Sequence, residues 1–366
     1  VNVVIAAGGT GGHVFPALAV AGVLAEAGDH VAFVGAIGGP EATAAPKAGY
    51  LFHGLDVRSA QVRFSWRTIG AGWSVIRATW RVRETVRAAD VVISVGGSAS
   101  APAVVAAGIV RKPVIVVEPN SVPGLVNRVA ARWASAVATM FAGTRSRLPS
   151  RVRVVRTGVP LRPAIERLAT GPDPAMRTAA IAAFGLDPDR RTILITGGSQ
   201  GALSIDRAVA ASLALLGDRR DLQILIASGP AHAAEVERAV DPSAEILVRV
   251  VPFIDRMDLA LAVADMAVSR AGGGVAELAA CAIPAILVPY PHATEDHQTA
   301  NARELVSLGA ARMIDDADLT AGTLGGAILE LMEDDEARRV MSAAMRAWSR
   351  PGAAGAVASL AREVAR

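Results

Sequence analysis

The sequence predicts an α/β protein of two similar doubly wound, Rossmann-like domains facing one another across an interdomain cleft. Three observations carry that reading. Short β-branched runs alternate with alanine-rich stretches of helical period along the whole chain, the pattern of repeated βα units and parallel sheets. Two glycine-rich turns of one build, Gly8-Gly9-Thr10-Gly11-Gly12-His13 and Gly197-Gly198-Ser199-Gln200-Gly201, stand in opposite halves, each between an apolar strand-like run and a helix-like stretch. A second pair of glycine clusters, Gly96-Gly97 and Gly272-Gly273-Gly274, comes soon after the apolar runs that open at Asp90 and Asp265. Ligands of doubly wound sheets sit at the carboxyl ends of strands, so all four clusters are expected to line the cleft. Backbone N–H groups in such loops, at the N-termini of helices, suit diphosphates.

Taken in order, strands are expected near 2–7, 31–35, 50–55, 91–95, 114–118, 136–140 and 152–156 in the first half. In the second they fall near 192–196, 223–227, 246–250, 266–269, 284–288 and 311–314. Between Thr157 and Arg190, Pro160, Pro163, Gly171, Pro172, Pro174 and Pro188 interrupt an otherwise helical stretch and mark the joint. The domains are therefore expected at 1–161 and 162–348, with a last helix over about 349–366, after Pro351-Gly352, packing back on the first.

A chain of 366 residues, 52% hydrophobic and 19% charged, has enough apolar surface for a core in each domain. The single Cys281 supports neither a disulfide framework nor a thiolate metal cluster and fits a reducing compartment. The first strand opens at once, so no signal peptide is expected, and no run of about 18 uncharged apolar residues suggests a membrane span. The net charge is only +3, but its distribution is uneven: seven arginines lie from Arg58 to Arg87, against Glu84 as the one acidic residue. On helical spacing Ile69, Trp73, Ile76 and Trp80 share one face there, flanked by Arg77 and Arg81, with Phe64 and Trp66 just ahead. Buried helices do not carry so many arginines. Nucleic acid is the weaker partner for a narrow aromatic stripe edged with arginine; the interface of an anionic bilayer fits it better. A peripheral membrane contact and no nucleic acid are expected.

Among sites for chemistry, a nicotinamide dinucleotide fold is disfavoured by the G-G-x-G-G spacing and by Phe33-Val34-Gly35-Ala36, which lacks the acidic residue that holds a ribose. A P-loop is weaker still, because no Gly-Lys-Ser/Thr triplet follows either loop. His13, directly after the first loop, is otherwise a capping or packing histidine, but beside an anion site it is placed to take a proton from a hydroxyl nucleophile. Glu277, three residues after Gly274, serves at least the dipole of its helix and suits the two hydroxyls of a ribose. His292, Glu295, Asp296 and His297 do not match the spacing of a zinc motif, and Asp315, Asp316 and Asp318 read as loop and N-cap residues. No tightly bound metal is expected.

Together these pieces resemble the MurG family, the glycosyltransferase family 28 enzymes that convert lipid I to lipid II in peptidoglycan synthesis. The resemblance rests on Gly8 to Ala19, Glu118-Pro119-Asn120 with Pro123-Gly124, Gly158 to Arg162, Gly197 to Ala202, and Phe253-Ile254-Asp255-Arg256-Met257, in that order and spacing. It implies a GT-B fold and an inverting transfer of N-acetylglucosamine from UDP-GlcNAc to the 4-hydroxyl of lipid I, undecaprenyl-diphospho-MurNAc-pentapeptide. It further implies no required cofactor, a place on the cytoplasmic face of the cell membrane against its anionic inner leaflet, and other cell-wall synthesis proteins as partners. By the same resemblance the donor meets Ile254 at uracil, Glu277 at the ribose, Ser199, Gln200 and Arg162 at the diphosphate, and Gln298 with Asn120, Thr10, Gly11 and Gly12 at the sugar. His13 is then the base, and Gly9, Gly11, Gly12, Gly96 and Gly97 hold the acceptor diphosphate. Helix dipoles and backbone donors stand in for a metal at the leaving group.

The chain departs from the family pattern at several points. Ser98 replaces a usual tyrosine, Pro119 a glutamine and Asp206 a common asparagine, and the stretch Arg270 to Glu277 is one residue short. These departures keep two alternatives open: a paralogous GT-B transferase with another donor or acceptor, and a catalytically weak membrane-surface binding protein.

Overall fold

The computed structural model describes every residue except Thr10, residues 58–65, Pro172, Ser199, Gln200 and Pro242, and for residues 66–73 the backbone alone. The described chain divides into one unit of Val1–Arg162 with Arg350–Arg366, and a second of Pro163–Ser349. The first unit runs β1 (Asn2–Ala7), α1 (Gly11–Glu26), β2 (His30–Ala36), α2 (Glu41–Lys47), β3 (Leu51–Leu55), α3 (Trp66–Ala88), β4 (Val91–Gly96), α4 (Ala101–Val110), β5 (Val114–Glu118), α5 (Leu125–Ala130), β6 (Ala136–Thr139) and β7 (Val154–Arg156). Its sheet has the order β3-β2-β1-β4-β5-β6-β7, with every pair parallel.

Alternation along β1 explains how one strand serves two layers. Val3, Ile5 and Ala7 join Phe33, Ile93 and Ile115 in a core beneath α1, whose Ala17, Val20 and Leu24 are buried there. Val4 and Ala6 face the opposite way, into a core with Ala78, Val82 and Val86 of α3 and Ala103, Val104 and Ala107 of α4. The order reverses between β1 and β4, the crevice at which doubly wound sheets bind ligands.

The second unit runs α6 (Pro163–Leu168), α7 (Pro174–Phe184), β8 (Arg191–Thr196), α8 (Leu203–Leu216), β9 (Leu222–Ala227), α9 (Ala233–Ala239), β10 (Leu247–Val251), α10 (Met257–Val263), β11 (Ala264–Ser269), α11 (Gly274–Ala280), β12 (Ala285–Leu287), α12 (His297–Ser307), β13 (Ala311–Met313), α13 (Ala321–Glu333) and α14 (Asp335–Trp348). Its parallel sheet, β10-β9-β8-β11-β12-β13, repeats the plan with its switch point between β8 and β11. Each strand lies within two residues of the position expected from the sequence. One local expectation is corrected: the cap of α13 is Thr320, whose hydroxyl accepts from the Thr323 amide at 3.1 Å, and not one of the preceding aspartates.

The last helix, α15 (Ala353–Ala365), belongs to the first unit. It follows a turn at Gly352, φ +80°, a backbone region that suits glycine. Val357, Ala358 and Ala361 complete the core under α1. Arg362 donates to Asp29 at 2.7 Å, and Arg153 to Glu363 at 2.5 Å, tying the C-terminal end of the helix down.

Candidate active site

In the first unit the candidate side chains collect around the carboxyl ends of β1, β4 and β5. β1 and β4 are register neighbours, so the loops that follow them are forced together. Gly97 has φ +81°, and a Cβ there would run into the Gly8 carbonyl oxygen; only backbone fits between the two loops. His13, the third residue of α1, is half-buried. Its Nε2 lies 3.3 Å from where a Cβ on Gly96 would stand, and Asn127 Nδ2 lies 3.1 Å from the same point. The predicted base and the predicted glycine pair Gly96-Gly97 thus come together around one spot.

Beneath that spot is a polar network that sequence reasoning did not assign. Glu118, the last residue of β5, is 1% exposed. Its carboxylate accepts from the Asn120 amide at 2.9 Å, Asn120 Nδ2 at 3.3 Å, the Gly124 amide at 3.0 Å and Asn127 Nδ2 at 3.0 Å. Burial pushes its carboxyl up to about 7, against the pull of those donors. Asn127 also donates to the Val117 carbonyl at 3.1 Å and accepts from Ser94 at 3.5 Å. Glu118 therefore holds Asn120 in place and, through Asn127, reaches the Gly96 spot. The Glu-Pro-Asn motif was visible in sequence; that Asn127, nine residues on, closes back on it depends on the turn into α5.

Glu41, another buried acid, accepts from the Ala36 amide at 2.8 Å and fills the space beside Gly8, Gly35 and Gly39. Arg162 lies in the first unit, its guanidinium carbon 4.8 Å from the centre of the Phe15 ring, which carries it to the turn of α1 just past His13. Thr10 falls outside the described residues.

In the second unit the corresponding place is the carboxyl edge of β8, β10, β11 and β12. A Cβ on Gly197 would strike the Ala202 amide, and one on Gly201, φ +75°, the Ser228 carbonyl, so this loop too is shaped for backbone alone. Ser199 and Gln200 within it lie outside the described residues. Glu277 stands in the first turn of α11, half-buried. Gln298 accepts from the Tyr290 amide at 2.9 Å, and its Nε2 lies 3.6 Å from where a Cβ on Gly272 would be. Asn301 reinforces the same junction by donating to the Ala271 carbonyl at 2.9 Å. The Ile254 side chain, in the turn after β10, is 5% exposed, and the exposed side chains of that turn are Pro252, Phe253, Asp255 and Arg256.

Arg270 organises this edge, a role the sequence did not announce. Its guanidinium donates to the carbonyls of Val288 at 3.2 Å and Pro289 at 3.0 Å, to Asp316 at 2.5 Å and to Ser204 at 2.8 Å. One side chain thus joins the ends of β11 and β12 to the start of α8. Of the possible metal cluster, His297 Nδ1 pairs with the Thr294 carbonyl at 2.9 Å and Asp296 accepts from Thr299 at 2.5 Å. Among the described residues no group of three or more His, Cys, Asp or Glu side chains is placed to hold a metal ion.

The basic aromatic segment forms α3, a helix of 23 residues. Ala78, Val82 and Val86 turn inward, while Ile76 is 50% and Trp80 60% exposed, with Arg77 and Arg81 also exposed. Phe64 lies outside the described residues, as do the side chains of Trp66, Ile69 and Trp73. No helix among the described residues is long and apolar enough to cross a membrane.

Two doubly wound units, each with a glycine loop at its switch point, define the GT-B class of glycosyltransferases. The N-terminal domain of glycosyltransferase family 28 matches residues 3–139 and its C-terminal domain residues 192–357. The chain belongs to glycosyltransferase family 28. It is 40% identical over 370 residues to the UDP-N-acetylglucosamine--N-acetylmuramyl-(pentapeptide) pyrophosphoryl-undecaprenol N-acetylglucosamine transferase of Acidithiobacillus ferrooxidans, covering 100% of this chain and 98% of the relative. The enzyme of that name from Halothermothrix orenii is 34% identical, covering 100% and 99%. Among solved structures, Acinetobacter baumannii MurG superposes with a TM-score of 0.78 at 28% identity over 99% of both chains.

Proposed function

We infer that this chain transfers N-acetylglucosamine from UDP-GlcNAc to lipid I, giving lipid II. Similarity over the full length to relatives named for that transfer, at 34% and 40% identity, carries the inference. In the step, the acceptor 4-hydroxyl oxygen attacks the anomeric carbon, the bond from that carbon to the diphosphate oxygen breaks, and UDP leaves with the electron pair. His13 takes the hydroxyl proton. The support for His13 is its place over Gly96, at the edge where two backbone-only loops meet and an anionic group finds N–H donors.

The remaining roles divide between the units. Gly9, Gly11, Gly12, Gly96 and Gly97 hold the acceptor diphosphate. In the second unit the loop Gly197 to Gly201 and the start of α8 take the donor diphosphate, Glu277 the ribose and the turn at Ile254 the uracil. Gln298, fixed by the Tyr290 amide, presents its Nε2 toward the donor sugar. By the family resemblance alone, Asn120, held by Glu118, and Thr10, Gly11 and Gly12 are assigned to the donor sugar, and Arg162, Ser199 and Gln200 to the donor diphosphate. No cofactor or metal is required; helix N-termini and backbone donors stabilise the leaving diphosphate.

The outward face of α3 docks on the anionic cytoplasmic surface of the membrane, where the acceptor lipid resides. Exposed Ile76 and Trp80 between exposed Arg77 and Arg81 support that contact. Beside α3, α4 exposes Val105 and Ile109 next to a groove lined by Arg111, Lys112 and Trp133. Radiolabelled UDP-GlcNAc with a lipid I analogue should yield the disaccharide lipid. Folded protein that binds UDP yet transfers nothing to that acceptor, while using another donor or acceptor from a panel, would overturn the assignment.

A further inference from the structure

Asp206 is the fourth residue of α8, the helix that opens directly behind the Gly197–Gly201 loop. Its side chain is 0% exposed, and among the described residues neither carboxylate oxygen has a hydrogen-bond partner. Side chains of a helix lean toward its N-terminus, so this carboxyl lies over the turn beginning at Ala202 and is directed toward the loop. The Asp206 amide bonds the Ala202 carbonyl at 3.0 Å, and the Ala202 backbone is also the first group whose pull on the carboxyl opposes its burial.

The charged surroundings do not settle it. Arg270, at the end of β11, is the nearest cation, but its guanidinium is already used by Asp316, Ser204 and two carbonyls. From α9, Glu235 is paired with Arg207 of α8 itself. The first two turns of α13, Ala321 to Ile328, carry no titratable group, and Arg191 and Asp265 lie at the far ends of β8 and β11. Burial pushes the Asp206 carboxyl up to about 7, the helix start and Arg270 notwithstanding.

We propose that Asp206 makes donor binding proton-dependent: its carboxyl must be neutral when a nucleotide diphosphate occupies the Gly197–Gly201 loop, so binding takes up one proton from solvent. The inference rests on the reading of the second unit as the nucleotide site. Two negative groups sharing one desolvated end of a helix disfavour one another, and the linkage is reciprocal: bound diphosphate holds the proton on Asp206. Asparagine is the neutral isostere of this side chain.

The test is calorimetric titration of the full chain with UDP-GlcNAc, whose diphosphate diester does not titrate near neutrality. Wild-type affinity is expected to fall about fivefold or more from about pH 6 to about pH 8.5, the ceiling being tenfold per pH unit. At about pH 8, heats measured in two buffers of different ionisation enthalpy should report uptake of about one proton, a reading that needs no variant. Asp206→Asn should bind with little pH dependence and more tightly than wild type at high pH. Wild-type affinity that is flat with pH, or a slope that Asp206→Asn retains, overturns the proposal and leaves the nucleotide site standing. Absence of UDP-GlcNAc binding by both proteins at every pH overturns the site and the proposal together.

Discussion

Nε2 of His13 lies 3.3 Å from the point at which a Cβ on Gly96 would stand. A methyl group there is closer than ordinary side-chain contact allows, and Gly96 has φ +103°, which alanine adopts only under strain. Gly96→Ala should therefore move the imidazole and reproduce, in part, the loss seen on removing it. We expect His13→Ala to lower kcat by about 10²- to 10⁴-fold and Gly96→Ala by about tenfold or more. Both should bind UDP as wild type does. Steady-state transfer assays with parallel calorimetry separate the two effects; a large loss of UDP affinity in His13→Ala would assign the residue to structure.

The buried Glu118 leads to a prediction about pH. Its carboxyl is raised from an ordinary value of 4.5 to about 7 by burial. A group held higher in the folded than in the unfolded state contributes most below its ordinary value, and that contribution is lost as pH rises through the folded value. Wild-type stability should accordingly decline between about pH 5 and about pH 8, with Glu118 supplying of order 1–3 kcal/mol of the change. Glu118→Gln keeps a carbonyl acceptor for Asn120 without the charge. Denaturant unfolding of both proteins at the two pH values checks it: the difference between them should shrink or change sign with pH, and a constant difference would refute the role.

How much of this was legible in the sequence follows from what holds each part. Parallel strands buried on both faces read as short β-branched runs, and all strands were found within two residues because nothing but local composition decides them. The glycine loops were legible for a similar reason: Gly97 and Gly201 sit where backbone meets backbone, and only glycine serves. Side chains whose purpose is set by distant partners were not. Glu118 acts through Asn127, Arg270 through Asp316 and Ser204, and Asp206 matters because its carboxylate finds no hydrogen-bond partner among the described residues. No spacing rule connects residues 46 or 66 positions apart.

The exposed pair on α3 tests the membrane contact. Ile76 and Trp80 are 50% and 60% exposed, so replacing both with serine removes little buried surface and should leave the unfolding midpoint nearly unchanged. At a lipid interface the same change removes apolar area of order 2–4 kcal/mol, enough to weaken binding to anionic vesicles about tenfold or more. Arg83, whose guanidinium carbon sits 5.2 Å from the Trp80 ring, would lose its aromatic partner as well. Vesicle sedimentation should show the loss, and transfer to a short-chain soluble acceptor should be spared. Unchanged sedimentation would place the contact elsewhere.

Arg270 offers the sharpest separation between the two units. Its side chain is 11% exposed and that of Asp316 20%, so Arg270→Ala removes the charged partner of a largely buried carboxylate, which keeps only the Ser204 hydroxyl at 2.8 Å, and leaves two carbonyls without this donor. Breaking a buried pair from one side costs about 3–5 kcal/mol. Arg270→Lys should recover only part of this, since a point-like ammonium cannot span four acceptors spread around a planar fork. The stacking of Arg270 over Tyr290, 5.4 Å to the ring centre, is lost in either variant. Because every one of these partners lies in the second unit, unfolding of that unit should move to lower denaturant and UDP affinity should fall. Vesicle binding, which belongs to the first unit, should not change. Hydrogen exchange resolved by peptide distinguishes the cases: faster exchange confined to β11, β12 and the start of α8 is expected, whereas uniform acceleration through both units would show that Arg270 supports the fold generally and not this edge.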